Sequence, residues 1–452
     1  MPDRPDDLDA WLDGRIEPLP PPPGTFELIK RRARRRKYRR LAITAGAAAT
    51  VVAAAVTVPQ VVNLPVLNPA KATSEANGRL SAPPPSANGG ATTASSSASA
   101  IGSPAPAPVP ANFQPTSVTF IGTQTGWVIG QAGTPGHCAT QYCTSVARTD
   151  DAGKTWSGVP APVTGPADGA TGVSQIRFLN GENGWAFGPQ LFATHDGGRT
   201  WSQVVTNGLR VTDLETVGDR AFALFASCTG TGAAFAAQCT SYTLYSSPAA
   251  ADDWTPVGPS TSGLAGGAAS LVLTGTRGYL LASDRMIYSG PVNGSGPWSP
   301  VKAIPCPVGT PLADGQPTGA LLAAANAANL VLACPSSSAP RTQQAKHIFT
   351  SADGGIVWQK AAAAPTLGLA ISVAATPGGT YALATNQGID LQPAGSAAWQ
   401  AATLAGTPPA GGFGYVGMTT DAQGVALPAN PAAGTVWFTF DGGMTWTPSR
   451  VS

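Results

Sequence analysis

Three observations predict an all-β chain: a seven-bladed β-propeller of four-stranded antiparallel blades. A turn of the form Ser/Thr-x-Asp-x-Gly-x-x-Trp returns four times in the 452 residues, at 149–156, 194–201, 351–358 and 439–446. Seven tryptophans, Trp156, Trp201, Trp254, Trp298, Trp358, Trp399 and Trp446, end turn-like units at intervals of 45, 53, 44, 60, 41 and 47 residues. Blades of known propellers run ~40–50 residues. Charged residues make up only 11% of the chain, while 54 glycines and 43 prolines supply turns, which favours many short strands over long helices. A blade exposes two apolar faces and cannot bury both alone, so similar units in a row call for a closed ring.

Each residue of the turn has a physical task. Asp151, Asp196, Asp353 and Asp441 are expected to accept N–H bonds from one or two residues on. Gly153, Gly198, Gly355 and Gly443 supply the positive φ that other residues resist. The hydroxyls of Thr149, Thr194, Ser351 and Thr439 bond across the base of the hairpin. Trp156, Trp201, Trp358 and Trp446 fold their rings over the turn. The sequence treats Trp201 as buried, with a truncation cost of ~3–5 kcal/mol. Three further units, 246–254, 289–298 and 390–399, keep the tryptophan but lose the Asp-x-Gly centre.

The segments around the turns alternate in strand fashion. First strands are expected at 118–121 and 176–179. Second strands fall at 126–130, 220–225, 277–282, 329–333, 380–384 and 424–428, and third strands at 242–245 and 435–438. Residues 321–328 have helical propensity, but their place in the repeat makes them strand plus turn.

Before the repeats the chain changes character three times. Residues 1–40 form a tail whose acidic, Pro-rich start can serve as a cytoplasmic extension or as a docking peptide around Trp11 and Leu12. The tail ends in a block, 30–40, with nine lysines and arginines. The uncharged run 41–62 follows. Its first 18 residues would rise about 27 Å as helix, close to a ~30 Å bilayer core. The positive-inside rule then keeps the basic block in the cytoplasm and exports the C-terminus. A cleaved signal peptide is the competing reading, and Arg39-Arg40 loosely resembles a twin-arginine signal. Residues 63–116 are a linker rich in Ala, Pro and Ser, too poor in apolar surface to fold alone. The domain of repeats is expected over 117–452.

Charge and cysteine usage narrow the classes. The net charge of +2 is concentrated in the basic block, and from Phe113 on 13 Lys/Arg face 16 Asp/Glu. The repeat domain therefore lacks the electrostatic footprint of a nucleic-acid binder. Cys138, Cys143, Cys228, Cys239, Cys306 and Cys334 all lie on the exported side, which reads as disulfides in an oxidising compartment. Sequential pairing is the expected pattern. Zinc at His137, Cys138 and Cys143 is the alternative and lacks a clear fourth ligand.

Two segments, Gly126-Trp127-Val128-Ile129-Gly130 and Gly184-Trp185-Ala186-Phe187-Gly188, each precede a turn by about one strand. Together with the turns they resemble the Asp-box (BNR) repeat of sialidases and other β-propellers. The Gly-Trp strand followed by Asp-Gly-Gly-x-Thr-Trp is similar to the photosystem II assembly-factor type. The resemblance covers residues from about 117 to the end. Its assembly-factor branch implies a non-catalytic, protein-binding role.

The sialidase branch implies an exo-glycosidase with three arginines, a Tyr–Glu pair, an Asp acid/base and an early Arg-Ile-Pro. Here the last is Ala303-Ile304-Pro305, and the domain holds only Glu182 and Glu215. Arg148 and Arg199 belong to turns, and the spacing of Arg177, Arg210, Arg220, Arg277, Arg285 and Arg341 marks no triad. His195 sits in a turn, and His347 has no evident partner. One Asp per turn is too few oxygens for calcium. The sequence thus points to a membrane-anchored, extracytoplasmic scaffold for proteins or cell-surface glycans, with no catalytic residue, cofactor or metal assigned.

Overall fold

The computed structural model describes residues 107–134, 137–138, 143–167, 171–228, 239–262, 269–282, 284–306, 319–335, 345–365 and 367–452. These residues form a seven-bladed β-propeller of antiparallel blades, each built on four strands in chain order, with a small hairpin of Gly133–Thr134 and His137–Cys138 inserted in blade 1. The first strands are Gln114–Phe120, Gln175–Phe178, Arg210–Val217, Ser270–Leu273, Leu321–Ala324, Ala370–Ala375 and Phe413–Met418. First strands of successive blades touch one another from blade 1 to blade 7. The outermost are Ser157–Val159, Ser202–Gln203, Thr255–Ser262, Ser299–Ala303, Gln359–Lys360, Gln400–Ala401 and Thr445–Arg450. Thr403–Leu404 adds a fifth, parallel strand at the rim of blade 7. The first strand begins at Gln114 and Ala107 already bridges to Gly158, so order extends N-terminal of residue 117. Leu321–Ala324 is a strand followed by a turn, because its apolar residues pack between blades 4, 5 and 6.

Among the described residues no helix is long and apolar enough to cross a membrane. The tail 1–40, the apolar run 41–62 and the linker up to 106 lie outside the described residues.

The core divides into seven apolar clusters, one for each pair of neighbouring blades. The seventh cluster joins Val118, Val128 and Trp156 of blade 1 to Val425, Leu427 and Phe438 of blade 7, closing the ring. Among the described residues no strand is exchanged at this seam. Side chains close it instead: Trp156 Nε1 donates to Ser449 Oγ at 3.4 Å, Ser449 Oγ donates to the Gly153 carbonyl, and Gln423 Nε2 donates to the Thr123 carbonyl at 2.9 Å.

All seven tryptophans stand at the start of an outermost strand. Each packs into the cluster shared with the preceding blade. Trp446 is fully buried between blades 6 and 7. Trp201 is only half-buried, edge-on to Phe178 at 6.1 Å, with its N–H on the Pro160 carbonyl of blade 1. The indole is thus a key between blades as well as a lid on its own turn. The burial expected of Trp201 is therefore only partial.

At the hub each first strand has an edge with no strand beside it, and unpaired backbone groups there need partners. Side chains of neighbouring blades supply them. Ser117 Oγ accepts from Ile176 N, Thr116 Oγ1 donates to the Ser174 carbonyl, and Ser372 Oγ bonds both N and O of Val416. Because neighbouring strands alternate direction, first-to-second and third-to-fourth turns share one end of the ring. Second-to-third and interblade connections share the other. We call these the turn end and the loop end.

Candidate functional site

The turn end carries the four Ser/Thr-x-Asp-x-Gly-x-x-Trp turns, which share one hydrogen-bond pattern. The hydroxyl oxygens of Thr149, Thr194, Ser351 and Thr439 accept from the N–H of Gly153, Gly198, Gly355 and Gly443, each at 2.9 Å. The same hydroxyls donate to Oδ1 of Asp151, Asp196, Asp353 and Asp441 at 2.8 to 2.9 Å. Oδ1 then accepts from the N–H four residues on, at 2.9 Å in every turn. The carboxylate therefore reaches further along the chain than the one or two residues expected. The glycines stand at φ of +81°, +89°, +90° and +96°. A Cβ on Gly153 would also meet the Phe438 ring of blade 7 at 2.2 Å.

Burial works against ionisation of Asp151, Asp196 and Asp441. The hydroxyl and N–H donors outweigh it and hold all three carboxyls below their ordinary value. For Asp353 the N–H of Val357 leads, followed by the Ser351 hydroxyl. The outer oxygen differs among turns. Thr155 and Thr200 donate to Oδ2 of Asp151 and Asp196 at 2.6 Å, and Thr445 bonds the Asp441 carboxylate likewise. In blade 5 this place belongs to Val357, whose side chain has no donor.

Other sequence candidates scatter. His195 bridges blades, its Nδ1 2.7 Å from Asn183 Oδ1 and its Nε2 2.8 Å from Asp252 Oδ2. Arg220 and Arg277 donate to Ser246 and Ser289 in two of the three blades whose turns lack the aspartate, at 2.9 and 2.6 Å. Arg285 donates to the Cys306 carbonyl, and Arg148 lies over the Trp127 ring beside Asp150. Arg341 lies outside the described residues. Arg148, Arg220, Arg277 and Arg285 are therefore each held by partners in their own blade or connection and do not gather as a triad.

Cys228–Cys239 and Cys306–Cys334 are disulfide-bonded at the loop end, and Cys143 is disulfide-bonded as well. The side chains of His137 and Cys138 lie outside the described residues. Among the described residues no group of three or more His, Cys, Asp or Glu could hold a metal ion.

The structure does assemble one charged cluster that spacing alone does not reveal. Arg177 of blade 2 donates through Nε to Glu215 Oε1 of blade 3 at 3.0 Å. Its Nη1 bonds Ser117 Oγ of blade 1 at 3.3 Å and its own strand's Ile176 carbonyl at 2.9 Å. Asp213, two residues before Glu215, accepts the N–H of Leu271 in blade 4 at 2.8 Å. Tyr415 of blade 7 senses the same charges. All four side chains belong to first strands, so the cluster sits at the hub and joins five blades.

Burial opposes Arg177's charge, but Glu215, Tyr415 and Asp213 outweigh it and strengthen its hold on its proton. Burial, then Glu215, pushes Asp213 up to about 7 against the pull of the Leu271 N–H and Arg177. Burial also raises Tyr415, which stays a neutral phenol. The cluster offers one fixed cation and one carboxyl able to take a proton near neutrality. The available signal was charge in the middle of apolar strands: Ile176-Arg177-Phe178 and Asp213-Leu214-Glu215.

A second buried pair lies between blades 5 and 6. Lys346 Nζ donates to the carbonyls of Leu367 and Gly368 at 3.0 and 2.7 Å. Burial pulls Lys346 down to about 8 and pushes Asp390 up to about 6, each partly offset by the other.

No family model and no curated protein matches the chain. Solved structures do. A structure titled YCF48 bound to D1 peptide is 17% identical, covers 64% of this chain and 86% of that one, and has a TM-score of 0.41. YCF48 from Cyanidioschyzon merolae is 13% identical over 74% of this chain and 98% of that one, at 0.47. A GH74 enzyme of Niastella koreensis is 12% identical over 75% and 66%, at 0.35. These are propellers to which the chain is similar, and its assignment as a seven-bladed ring rests on its own strand order.

Proposed function

We propose that the chain is a non-catalytic binding or assembly scaffold. In this reading a single-pass helix at 41–62 holds the N-terminus in the cytoplasm and presents the propeller outside, and the four turns are Asp-box repeats. The loop end docks a protein or a cell-surface glycan. One observation carries the proposal: the two ends of the ring are built differently. The turn end is closed by short, repeated, internally bonded hairpins. Long connections, such as those between Cys228 and Cys239, Ala303 and Leu321, and Pro335 and Lys346, all leave from the loop end. Two disulfides staple that end. It exposes Val163, Val205 and Leu367, and Val205 lines a cleft of about 550 Å³ beside Arg210. Variable loops on a rigid frame are where binding surfaces are commonly placed. The turn end also exposes Ile356, Val357, Phe440 and Met444, but as turn tips of the repeat.

Crosslinking and pull-down of the full-length protein from intact cells tests the reading. Val205→Asp and Leu367→Asp should abolish capture of a specific partner, whereas Phe440→Asp at the turn end should not. Equal effects at both ends would refute the assignment of the docking face. Protease protection of the N-terminal tail in intact cells tests the topology.

A sialidase-like exo-glycosidase is the second reading. It is favoured by one observation: Tyr415, Glu215 and Asp213 gather around Arg177 at the hub. Against it, Arg220, Arg277 and Arg285 are held within their own blades or connections. Release of fluorophore from a sialoside, lost on Tyr415→Phe, would establish it.

A further inference from the structure

The blade 4 hairpin between Met286–Pro291 and Ser299–Ala303 keeps the spacing of the repeated turn but not its chemistry. Counting back from Trp298, Pro291 stands where the intact turns carry Ser or Thr, and Asn293 where they carry Asp. Pro297 takes the place of the residue whose N–H reaches that Asp. Proline has neither a hydroxyl nor an N–H, so both partners of the side chain at 293 are gone. Asn293 turns to its own backbone instead, and its Oδ1 accepts the N–H of Ser295 at 3.0 Å. Such a bond folds the side-chain amide back along the Asn293–Gly294 peptide.

Three further features meet at that peptide. Among the described residues no acceptor takes the Gly294 N–H. Asn293, Gly294 and Ser295 are all exposed, so water reaches them. The Arg220 guanidinium of blade 3 lies against Gly294, where an added Cβ would meet its Cζ and Nε at 3.0 Å. Ser246 holds that guanidinium in place, accepting from Nε at 2.9 Å. Gly294, at φ +70°, has no side chain to shield its nitrogen.

We infer that Asn293 is a site of spontaneous deamidation. The Gly294 N–H gives its proton to hydroxide, and the nitrogen attacks Asn293 Cγ. The N–Cγ bond forms, the Cγ–Nδ2 bond breaks, and the leaving nitrogen takes a proton from water and departs as ammonia. One water then opens the five-membered succinimide at either carbonyl, leaving aspartate or isoaspartate. The balance is one water consumed and one ammonia released. The Arg220 cation favours the anionic nitrogen, and the Ser295 N–H stabilises the negative charge that develops on Oδ1. The aspartate product restores to blade 4 the carboxylate that the repeat carries at this position.

Asn180, Asn183 and Asn207 also precede glycine and lack this combination. Asn180 Oδ1 accepts from the N–H groups of Glu182 and Asn183, but nothing lies within 4 Å of a Cβ added to Gly181. Gly184, after Asn183, is buried under the Phe178 ring. Among the described residues no N–H reaches Asn207 Oδ1, and a Cβ added to Gly208 would meet nothing within 4 Å.

The test incubates the full-length protein at mildly alkaline pH. Peptide mapping by mass spectrometry follows each asparagine, and isoaspartyl methyltransferase labelling marks the isoaspartate. Asn293 should convert at least about fivefold faster than Asn180, Asn183 or Asn207, the factor a unit charge ~4 Å away supplies even at the screening of bulk water. Arg220→Gln should slow Asn293 by about the same factor and leave Asn207 unchanged. In urea the rates at Asn293 and Asn207 should converge, because Arg220 and the Ser295 N–H are no longer held against the peptide. Conversion of any of the other three ahead of Asn293 in the folded protein would overturn the inference. So would a lead of Asn293 that persists undiminished in urea, or an unslowed Asn293 in folded Arg220→Gln.

Discussion

If the indoles key each blade to the one before it, their energetic weight must follow burial at the interface and not the quality of the turn. Trp446 and Trp201 separate the two ideas. Both close an intact turn with the same Thr–Asp–Gly bonding. Trp446 is fully buried among Leu391, Phe413 and Trp437, and its N–H donates to the Gly443 carbonyl at 2.8 Å. Removing that indole uncovers roughly 200 Å² of apolar surface, or about 5 kcal/mol at ~25 cal/mol/Å². Core truncations of tryptophan cost about 3–5 kcal/mol. Trp201, half-buried and edge-on to Phe178, should lose about half as much on conversion to alanine. For a ring of about 340 residues, unfolding entropy near 0.7 kcal/mol/K converts 4 kcal/mol to a shift of about 6 °C. Calorimetric melts of Trp446→Ala and Trp201→Ala should therefore differ by about 3 °C. Equal shifts, or a larger one for Trp201→Ala, would refute the interface role.

Three further outcomes follow from charge. Arg177→Met removes the cation of the hub cluster and leaves Glu215 and Asp213 facing each other, a loss below the ~3–5 kcal/mol of a fully buried pair because Glu215 keeps 30% of its side chain exposed; the deficit in melts should be larger at pH 8 than at pH 5, where Asp213 can take a proton. Asp213 has a folded value pushed up to about 7, so its stabilising contribution is present below about pH 4 and is lost as pH rises through about 7. Asp213→Asn, which keeps an acceptor for Leu271, should flatten part of the stability decline of the wild type between pH 5 and 8, and an unchanged profile would count against a titrating hub. Asp196 is held below its ordinary value of 3.8, so its contribution is present above that value and disappears as pH falls beneath it. Asp196→Ala should be less stable than wild type at pH 7 by denaturant titration, with the difference narrowing as pH falls below 3.8.

Much of the architecture was legible because the repeat is written in local chemistry. A tryptophan every four or five dozen residues, a positive-φ glycine and a run of alternating strands need no distant partner to be recognised. The same regularity placed the helix-prone Leu321–Ala324 in a strand. The hub cluster was not legible. Arg177, Asp213, Glu215 and Tyr415 are separated by up to more than two hundred residues, and nothing in spacing brings them together. Their one local trace was a charge inside a strand that should have been apolar.

The amino-acid order by itself determined how many blades there are, where each hairpin turns, and which end of every strand receives a short turn or a long connection. Those properties depend on neighbours within a few residues. Ring closure decided the rest: that each indole serves the preceding blade, that arginines in two of the degenerate blades hold serines, and that three first strands bring Arg177, Asp213, Glu215 and Tyr415 together at the hub. Such juxtapositions arise only when blades are set side by side, because a β-strand's side chains reach across to the next sheet and carry no sequence mark of what they will meet there.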